Sequence, residues 1–315
     1  MDASGRSHLC QWVTPGCRFS DYIGAMHLHV VDGTYELFRA HYSHRPEHRA
    51  PAGWNAKATL GVVSSMLALL HDAKEAVTHL AVAFDNPIRS FRNDLFDGYK
   101  SDEGVEPEVL AQFNAVEDAV RALGITVWSM REYEADDALA TAARRFVPHV
   151  DQVRILSPDK DLSQCLVGER VVQVDRQRQR TIDEPSFRAA RGFAPSSVPD
   201  FLALTGDSAD GIPGLPGFGE KTAALLLGAY GQLECIPENA EHWSVHVRRA
   251  PHLAAVLAEQ REHALLYRKL ATLVDVPLAE SFDDLKVRGV PRANFEAWCD
   301  TVGANTLKSA PKRWA

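Results

Sequence analysis

Short apolar runs alternate with longer stretches of helical periodicity through the first two-thirds of the chain. The strand candidates are 28–32 (LHVVD), 79–85 (HLAVAFD), 125–130 (ITVWSM), 153–157 (VRILS) and 171–175 (VVQVD). Between them, apolar spacing predicts helices at about 34–43, 56–75, 106–123 and 135–147. That alternation predicts an α/β fold whose mostly parallel sheet is covered by helices on both faces. Ligands of such sheets bind outside the carboxyl ends of the strands. The run at 59–70 (TLGVVSSMLALL) is too short and too interrupted by serine to span a membrane, and reads as a buried helix. Between Pro87 and Pro107 lies a polar stretch too long for an ordinary connection, which points to a functional insertion. Residues 1–25 show neither periodicity nor the apolar core of a signal peptide, and are expected to be a disordered extension ahead of the first strand or an artefact of an upstream start site.

The polar residues that punctuate this pattern are mostly acidic. Nine carboxylates fall in five clusters: Asp32 in VVDG, Asp85 in AFDN, Glu134, Asp136 and Asp137 in YEADDALA, Asp159 and Asp161 in LSPDKDL, and Asp207 and Asp210 in LTGDSADG. Asp32 and Asp85 end two strands and Asp159 follows a third, so three clusters are expected on one rim of the sheet. Glu134, Asp136 and Asp137 open a helix, whose N-terminus favours their ionised forms. An acidic cap on a solvated helix explains YEADD alone equally well. Carboxylates gathered in this number repel one another unless cations neutralise them. Oxygen-only ligands suit two hard ions, Mg²⁺ or Mn²⁺, and paired ions of that kind serve phosphodiester cleavage.

Composition adjusts the picture in one respect. The net charge of −8, from 42 acidic and 34 basic side chains, looks wrong for a nucleic-acid partner, but without the nine clustered acids 33 remain against 34. The five scattered cysteines form no CxxC, which suggests reduced thiols and a cytoplasmic setting rather than disulfides or zinc. His41, His44 and His48 read as a solvated segment, and Ser157 and Ser163 lack the partners of a serine hydrolase. The segment 211–227 (GIPGLPGFGEKTAALLL) is the second chemical signal. Glycine and proline force a tight loop, a helix starts near Gly219, and backbone N–H groups there with Lys221 can cradle a phosphate. Glu220 separates Gly219 from Lys221, which excludes a Walker A loop, and Thr222 stands where a dinucleotide fingerprint needs its third glycine.

In this order, VDG…FRA, FD…SFR…GYK, YEADDALA, LSPDKDLSQ, LTGDSADGIPG and GFGEKTA resemble the motifs of the 5′-nuclease (flap endonuclease) family, particularly the N-terminal 5′→3′ exonuclease domain of bacterial DNA polymerase I. The resemblance covers roughly 28–290 and implies a PIN-like nuclease domain (26–190), a helical arch over its site, a helical subdomain (191–290) with a helix–three-turn–helix, and a C-terminal tail (291–315). It implies that Asp32, Asp85, Glu134 and Asp136 hold a first metal, with Asp137 supporting them, and that Asp159, Asp161, Asp207 and Asp210 hold a second. Arg39, Arg92 and Lys100 match basic residues that act on the scissile or adjacent phosphates. Phe38 matches a base-stacking position, Tyr99 of the GYK motif is expected to contact DNA, and Gly217, Gly219, Lys221 and Thr222 lie in the element that grips duplex DNA, where a K⁺ ion is often held. Two departures stand out. Glu103 occupies a position frequently held by Arg, among Asp102, Glu106 and Glu108, and SADGIPG replaces the commoner SDNIPG while keeping Asp210.

The expected function is a monomeric, two-metal 5′→3′ exonuclease on double-stranded DNA ends, with cleavage of branched or flapped DNA and no membrane partner. A non-catalytic branched-DNA-binding protein and a PIN-type ribonuclease are the rivals; the first has no need of nine carboxylates, and the second normally lacks the 211–227 element.

Overall fold

Six strands build one sheet: β1 (His27–Asp32), β2 (His79–Asp85), β3 (Thr126–Met130), β4 (Gln152–Leu156), β5 (Val171–Asp175) and β6 (Arg180–Ile182). In the computed structural model, which describes residues 25–315, their order is β3-β2-β1-β4-β5-β6. The first five are parallel and β6 returns antiparallel to β5. All but the first residue of β1 and all but the last of β2 are buried, which explains their near-continuous apolar sequences. The expectation for residues 1–25 falls, apart from Ala25, outside the described residues.

Helices cover both faces. α1 (Gly33–His41), α2 (Lys57–His71) and α5 (Phe113–Ala122) pack Val62, Met66, Phe113 and Val116 against Val31, Val82 and Phe84. On the other face, α6 (Ala135–Phe146) lays Ala138, Leu139 and Ala142 on Leu28, Val30 and Ala81. The chain runs outward from β1 through β2 to β3, then crosses back to place β4 on the far side of β1. At such a reversal the strand ends leave a crevice, the usual ligand site of an open α/β sheet.

A second, helical unit follows: α7 (Glu184–Arg191), α8 (Val198–Thr205), α9 (Glu220–Tyr230), α10 (Ala250–Glu259) and α11 (Arg261–Ala271) gather around their own core of Phe201, Leu204, Leu226 and Leu257. The segment after α11 then joins the α6 face, where Leu273, Val276 and Leu278 are buried.

Three details differ from expectation. Helix 106–123 is interrupted, giving α4 (Pro107–Leu110) and α5. Between them Gln112 turns inward and accepts hydrogen bonds from Thr59 N and Oγ1, both at 3.1 Å. The expected helical arch is reduced to α3 (Arg92–Leu95) and α4, four residues each, joined by the irregular stretch 96–106. Its base is fastened to the helical unit, for a Cβ on Gly211 would lie 2.0 Å from the Gly98 carbonyl. Finally, 291–315 is no loose tail: α12 (Arg292–Val302) buries Phe295 and Cys299 completely, and Trp314 pairs with Val290. No helix among the described residues is long and apolar enough to cross a membrane.

Candidate active site

The carboxylates reach the crevice because of where they stand in their elements. Asp32 is both the last residue of β1 and the N-cap of α1, accepting from Tyr35 N at 2.8 Å; its other oxygen accepts from Ser157 Oγ, also at 2.8 Å. Asp85 ends β2 and accepts from Ala135 N at 2.8 Å, which ties it to the start of α6. Asp136 lies in the first turn of α6, and Asp159 follows β4, receiving Asp161 N at 3.0 Å. Asp207 and Asp210 sit in a turn closed by two backbone bonds between Asp207 and Ile212, each 2.8 Å long. Gly206 makes that turn possible, because at φ +81° a Cβ there would meet the Ile212 carbonyl at 2.8 Å.

Burial and mutual repulsion raise the pKa of Asp32, Asp85, Asp136, Asp161 and Asp210. Asp32 is raised by burial and then by Asp85 and Asp159, though its hydrogen bonds to Tyr35 N and Ser157 pull the other way. Asp136 is held well above the ordinary range by burial, then by Asp159, Asp32 and Asp85. Asp161 is raised by burial and by Asp159, Asp210 and Asp207. The acids thus stand in two adjoining sets, Asp32, Asp85 and Asp136 in one and Asp161, Asp207 and Asp210 in the other, with Asp159 a neighbour of both.

The donor set suits a hard divalent ion. Asp161, Asp207 and Asp210 each place an oxygen within 4.8 Å of the others, and Asp161 Oδ1 is buried with no hydrogen-bond partner. A buried acceptor without a partner is costly, and a bound cation relieves both that cost and the repulsion. Among the described residues no His or Cys joins this group, which favours oxygen-binding ions over zinc or copper.

Lys100 occupies the centre. Its Nζ lies 2.9 Å from Glu134 and 3.0 Å from Asp210, and these carboxylates, together with the Tyr99 hydroxyl and Asp85, outweigh burial to hold its pKa well above the usual lysine value. Burial alone would raise Glu134, but Lys100, Arg92 and the Ser90 hydroxyl hold it below the ordinary range. Lys160 makes a matching contact with Asp207 at 2.9 Å.

Other expected residues take different places. Arg92 is 1 % exposed and has no reach to a phosphate. It grips Asp137 with two bonds of 2.7 and 2.8 Å and donates to the Leu270 and Thr272 carbonyls. Asp137 also receives Glu134 N and Val274 N, so both its oxygens are filled and it stands apart from the open carboxylates. Tyr99 is buried, its hydroxyl within 3.2 Å of Glu134 and 3.3 Å of Asp210, and faces the acids rather than a base. Phe38 packs edge-on against Phe113 on the core. Arg39 remains part-exposed on α1, paired with Glu36.

The 211–227 segment forms a hairpin leading into α9. Gly217 and Gly219 are exposed, and Gly217 takes φ +85°. Gly219 caps α9 without a side chain, and Lys221 is exposed in the first turn beside the half-buried Thr222. The leading N–H groups of that turn are available to an anion.

Comparison with known proteins agrees with this geometry. The description "5′-3′ exonuclease, N-terminal resolvase-like domain" matches residues 27–192, and "5′-3′ exonuclease, C-terminal SAM fold" matches 193–293. The chain belongs to the 5′-3′ exonuclease family. The descriptions of both matched domains are those of a nuclease, an enzyme class that hydrolyses phosphodiester bonds. A DNA polymerase I of Rhizobium leguminosarum is 38% identical over 266 residues, 82% of this chain but 26% of that protein, so the chain spans about a quarter of that relative's length. A 5′-3′ exonuclease of Aquifex aeolicus is 31% identical over 264 residues, covering 83% of this chain and 86% of that protein. Among solved structures, the T5 D15 protein co-crystallised with metal ions shares the fold at TM-score 0.61 and 18% identity, over 78% of this chain and 89% of its own.

Several residues that serve the site had not been singled out for it. Ser90, Ser157 and Lys160 each bind one of the clustered acids directly. Ser157 and Lys160 lie inside LSPDKDL, so their proximity in sequence to Asp159 was a usable signal. Ser90 reaches Glu134 across the fold, and only the structure brings them together.

Proposed function

We propose that this chain is a Mg²⁺- or Mn²⁺-dependent 5′→3′ exonuclease that acts preferentially on double-stranded DNA ends and also cleaves flapped or branched DNA. The observation that carries the reading is the buried, oxygen-only group Asp161, Asp207 and Asp210 with its partnerless Asp161 Oδ1, set beside Asp32, Asp85, Asp136 and Asp159. The first three, with Asp159, would hold one ion, and Asp32, Asp85, Glu134 and Asp136 the other. Bound ions would supply an activated water and charge stabilisation for the leaving oxygen.

The protein's own groups account for the rest. Lys100, part-exposed between Glu134 and Asp210, can turn an ammonium proton toward a phosphate oxygen, and Arg39 stands by on α1. The N-terminus of α9 with Lys221 grips a backbone phosphate without reading sequence, which fixes the register of the duplex. A K⁺ ion would be held in the turn before α9. We infer a monomer at work in the reducing cytoplasm, a setting that the three free described cysteines support.

The test is digestion of 5′-labelled duplex, flap and RNA substrates with and without EDTA. Release of short products from the duplex 5′ end, abolished by EDTA, is expected, and Asp210→Asn should slow it by about 10²–10³-fold while leaving DNA binding intact. Binding without cleavage in Mg²⁺ and Mn²⁺ would favour a DNA-structure-binding protein. Preference for RNA would favour a ribonuclease.

A further inference from the structure

On the α1–α2 side of Asp32 lies a cavity of about 250 Å³, of whose walls only Arg39 and Ser157 have a role above. It is lined by Arg39, Arg45 and Arg176, with Glu36, Ser65 and Asp175 among its other walls. Ser157 belongs to it as well, and the same hydroxyl donates to Asp32 at 2.8 Å, so the cavity opens directly beside the carboxylate row. Its volume corresponds to roughly eight waters of bulk liquid, enough for a phosphate with part of a sugar.

The charge balance favours an anion. Glu36 is shared: Arg39 pairs with it, and Arg176 Nη1 lies 4.0 Å away. Asp175 is already occupied by the backbone N–H groups of Gln177 and Arg178, each at 3.0 Å, and by the Arg178 guanidinium at 3.2 Å. Arg176 otherwise leans on Ser65 Oγ at 3.0 Å, while exposed Arg45 has no carboxylate within ion-pair distance among the described residues. Three guanidinium groups therefore face little uncommitted negative charge, immediately next to a strongly acidic row.

Position selects the anion. The helical unit with its phosphate-gripping α9 joins the sheet on the α6 face, through Leu273, Val276 and Leu278. The arginine cavity lies on the opposite, α1–α2 face. A strand held by the helical unit on the α6 side would, once across the carboxylates, run toward this opposite face, and for an exonuclease working from a 5′ end that far end is the 5′ terminus. A terminal phosphate carries more charge than an internal diester and a third free oxygen, which suits several guanidinium forks. We propose that the Arg39–Arg45–Arg176 cavity binds the 5′-terminal phosphate of the strand being degraded. This rests on the nuclease reading. An internal phosphate of an upstream strand has related chemistry, and the experiment separates the two.

Two duplexes identical except for a 5′-phosphate or a 5′-hydroxyl are compared, by fluorescence anisotropy in EDTA and by initial cleavage rate in Mg²⁺. Wild type should favour the phosphorylated end by about tenfold in both measurements. In Arg45→Ala/Arg176→Ala that ratio should fall to near one; if the double variant is poorly folded by thermal melting, exposed Arg45→Ala alone should lower it. Equal binding and equal rates in wild type, or a preference that survives both substitutions, would overturn the proposal. A third arm adds an abutting upstream strand. A defect of the variants seen only when that strand is present assigns the cavity to an upstream phosphodiester and also overturns it. If wild type cleaves neither duplex, the nuclease reading has failed, and the anisotropy ratio still judges the cavity.

Discussion

Arg92 and Lys100 come from one short insertion and do opposite work. Both are basic residues in motifs that resemble phosphate contacts, yet Lys100 faces the crevice and Arg92 faces inward. What decides this lies far away in sequence: the carbonyls of Leu270 and Thr272 supply acceptors that turn Arg92 into a staple between α3, α6 and the end of α11. Residue type and order revealed the charges, but the direction of a side chain depends on partners from distant segments, and those were not legible. The same holds for Asp137, which shares a helical turn with Asp136 but has both oxygens filled. Removing one member of a buried ion pair leaves the other charge unpaired, at a cost of about 3–5 kcal/mol. Arg92→Ala should therefore lower the urea midpoint severely, and the apolar double replacement Arg92→Met/Asp137→Leu should recover a large part of the loss. A stability loss below about 1 kcal/mol for Arg92→Ala, with weakened DNA binding instead, would return Arg92 to the phosphate.

At the scale of elements, the strands were the most legible part, because burial on both faces writes an unbroken apolar run into each. The helices were less so. Gln112 interrupts 106–123 through a bond to Thr59 on another helix, and α12 buries Phe295 and Cys299 beside α5, a partner that only the assembled fold supplies. The insertion 87–107 was recognised by its length, but its form differs from a helical arch. Gly98 and Gly104 sit in the irregular stretch, and Asp102, Glu103, Glu106 and Glu108 are all exposed. Of these, Glu106 pairs with His41 and Glu108 with Asn55, whereas Glu103 has no basic partner among the described residues. A single-stranded flap passing this stretch meets uncompensated negative charge, which repels most at low salt. Glu103→Arg should raise flap cleavage relative to duplex-end cleavage and steepen its salt dependence by a log–log slope of roughly 0.7 per added phosphate contact. The ratio of the two activities across a salt series is the measurement, and an unchanged ratio at every salt would mean that flaps do not pass position 103.

For the whole molecule, the acid excess and the fold's stability are one subject. The net charge of −8 sits beside 34 basic residues, and much of the excess is gathered in buried or half-buried carboxylates at one rim of the sheet. Asp136 and Asp161 are both pushed well above the ordinary range, first by burial and then by neighbouring acids, and Lys100 offsets this only in part. The fold thus carries a repulsion that a divalent ion would relieve, and an ion that binds only the folded chain stabilises it by mass action. One site filled at about 100 times its dissociation constant contributes about 2.7 kcal/mol. At about 2–4 °C per kcal/mol for domains somewhat smaller than this chain, Mg²⁺ or Mn²⁺ should raise the thermal midpoint by roughly 5–10 °C over EDTA. Asp161→Asn separates attraction from repulsion. It removes a charged oxygen ligand from the group with Asp207 and Asp210, so most of the rise on adding metal should vanish. In EDTA the same variant should melt at or above the wild-type temperature, because one of several like charges is gone while the shape of the side chain is kept. Calorimetric scans of both proteins in each condition test the pair of expectations together. A variant that melts far lower in EDTA, yet gains as much from metal as wild type, would make Asp161 a structural residue and remove it from the ion site.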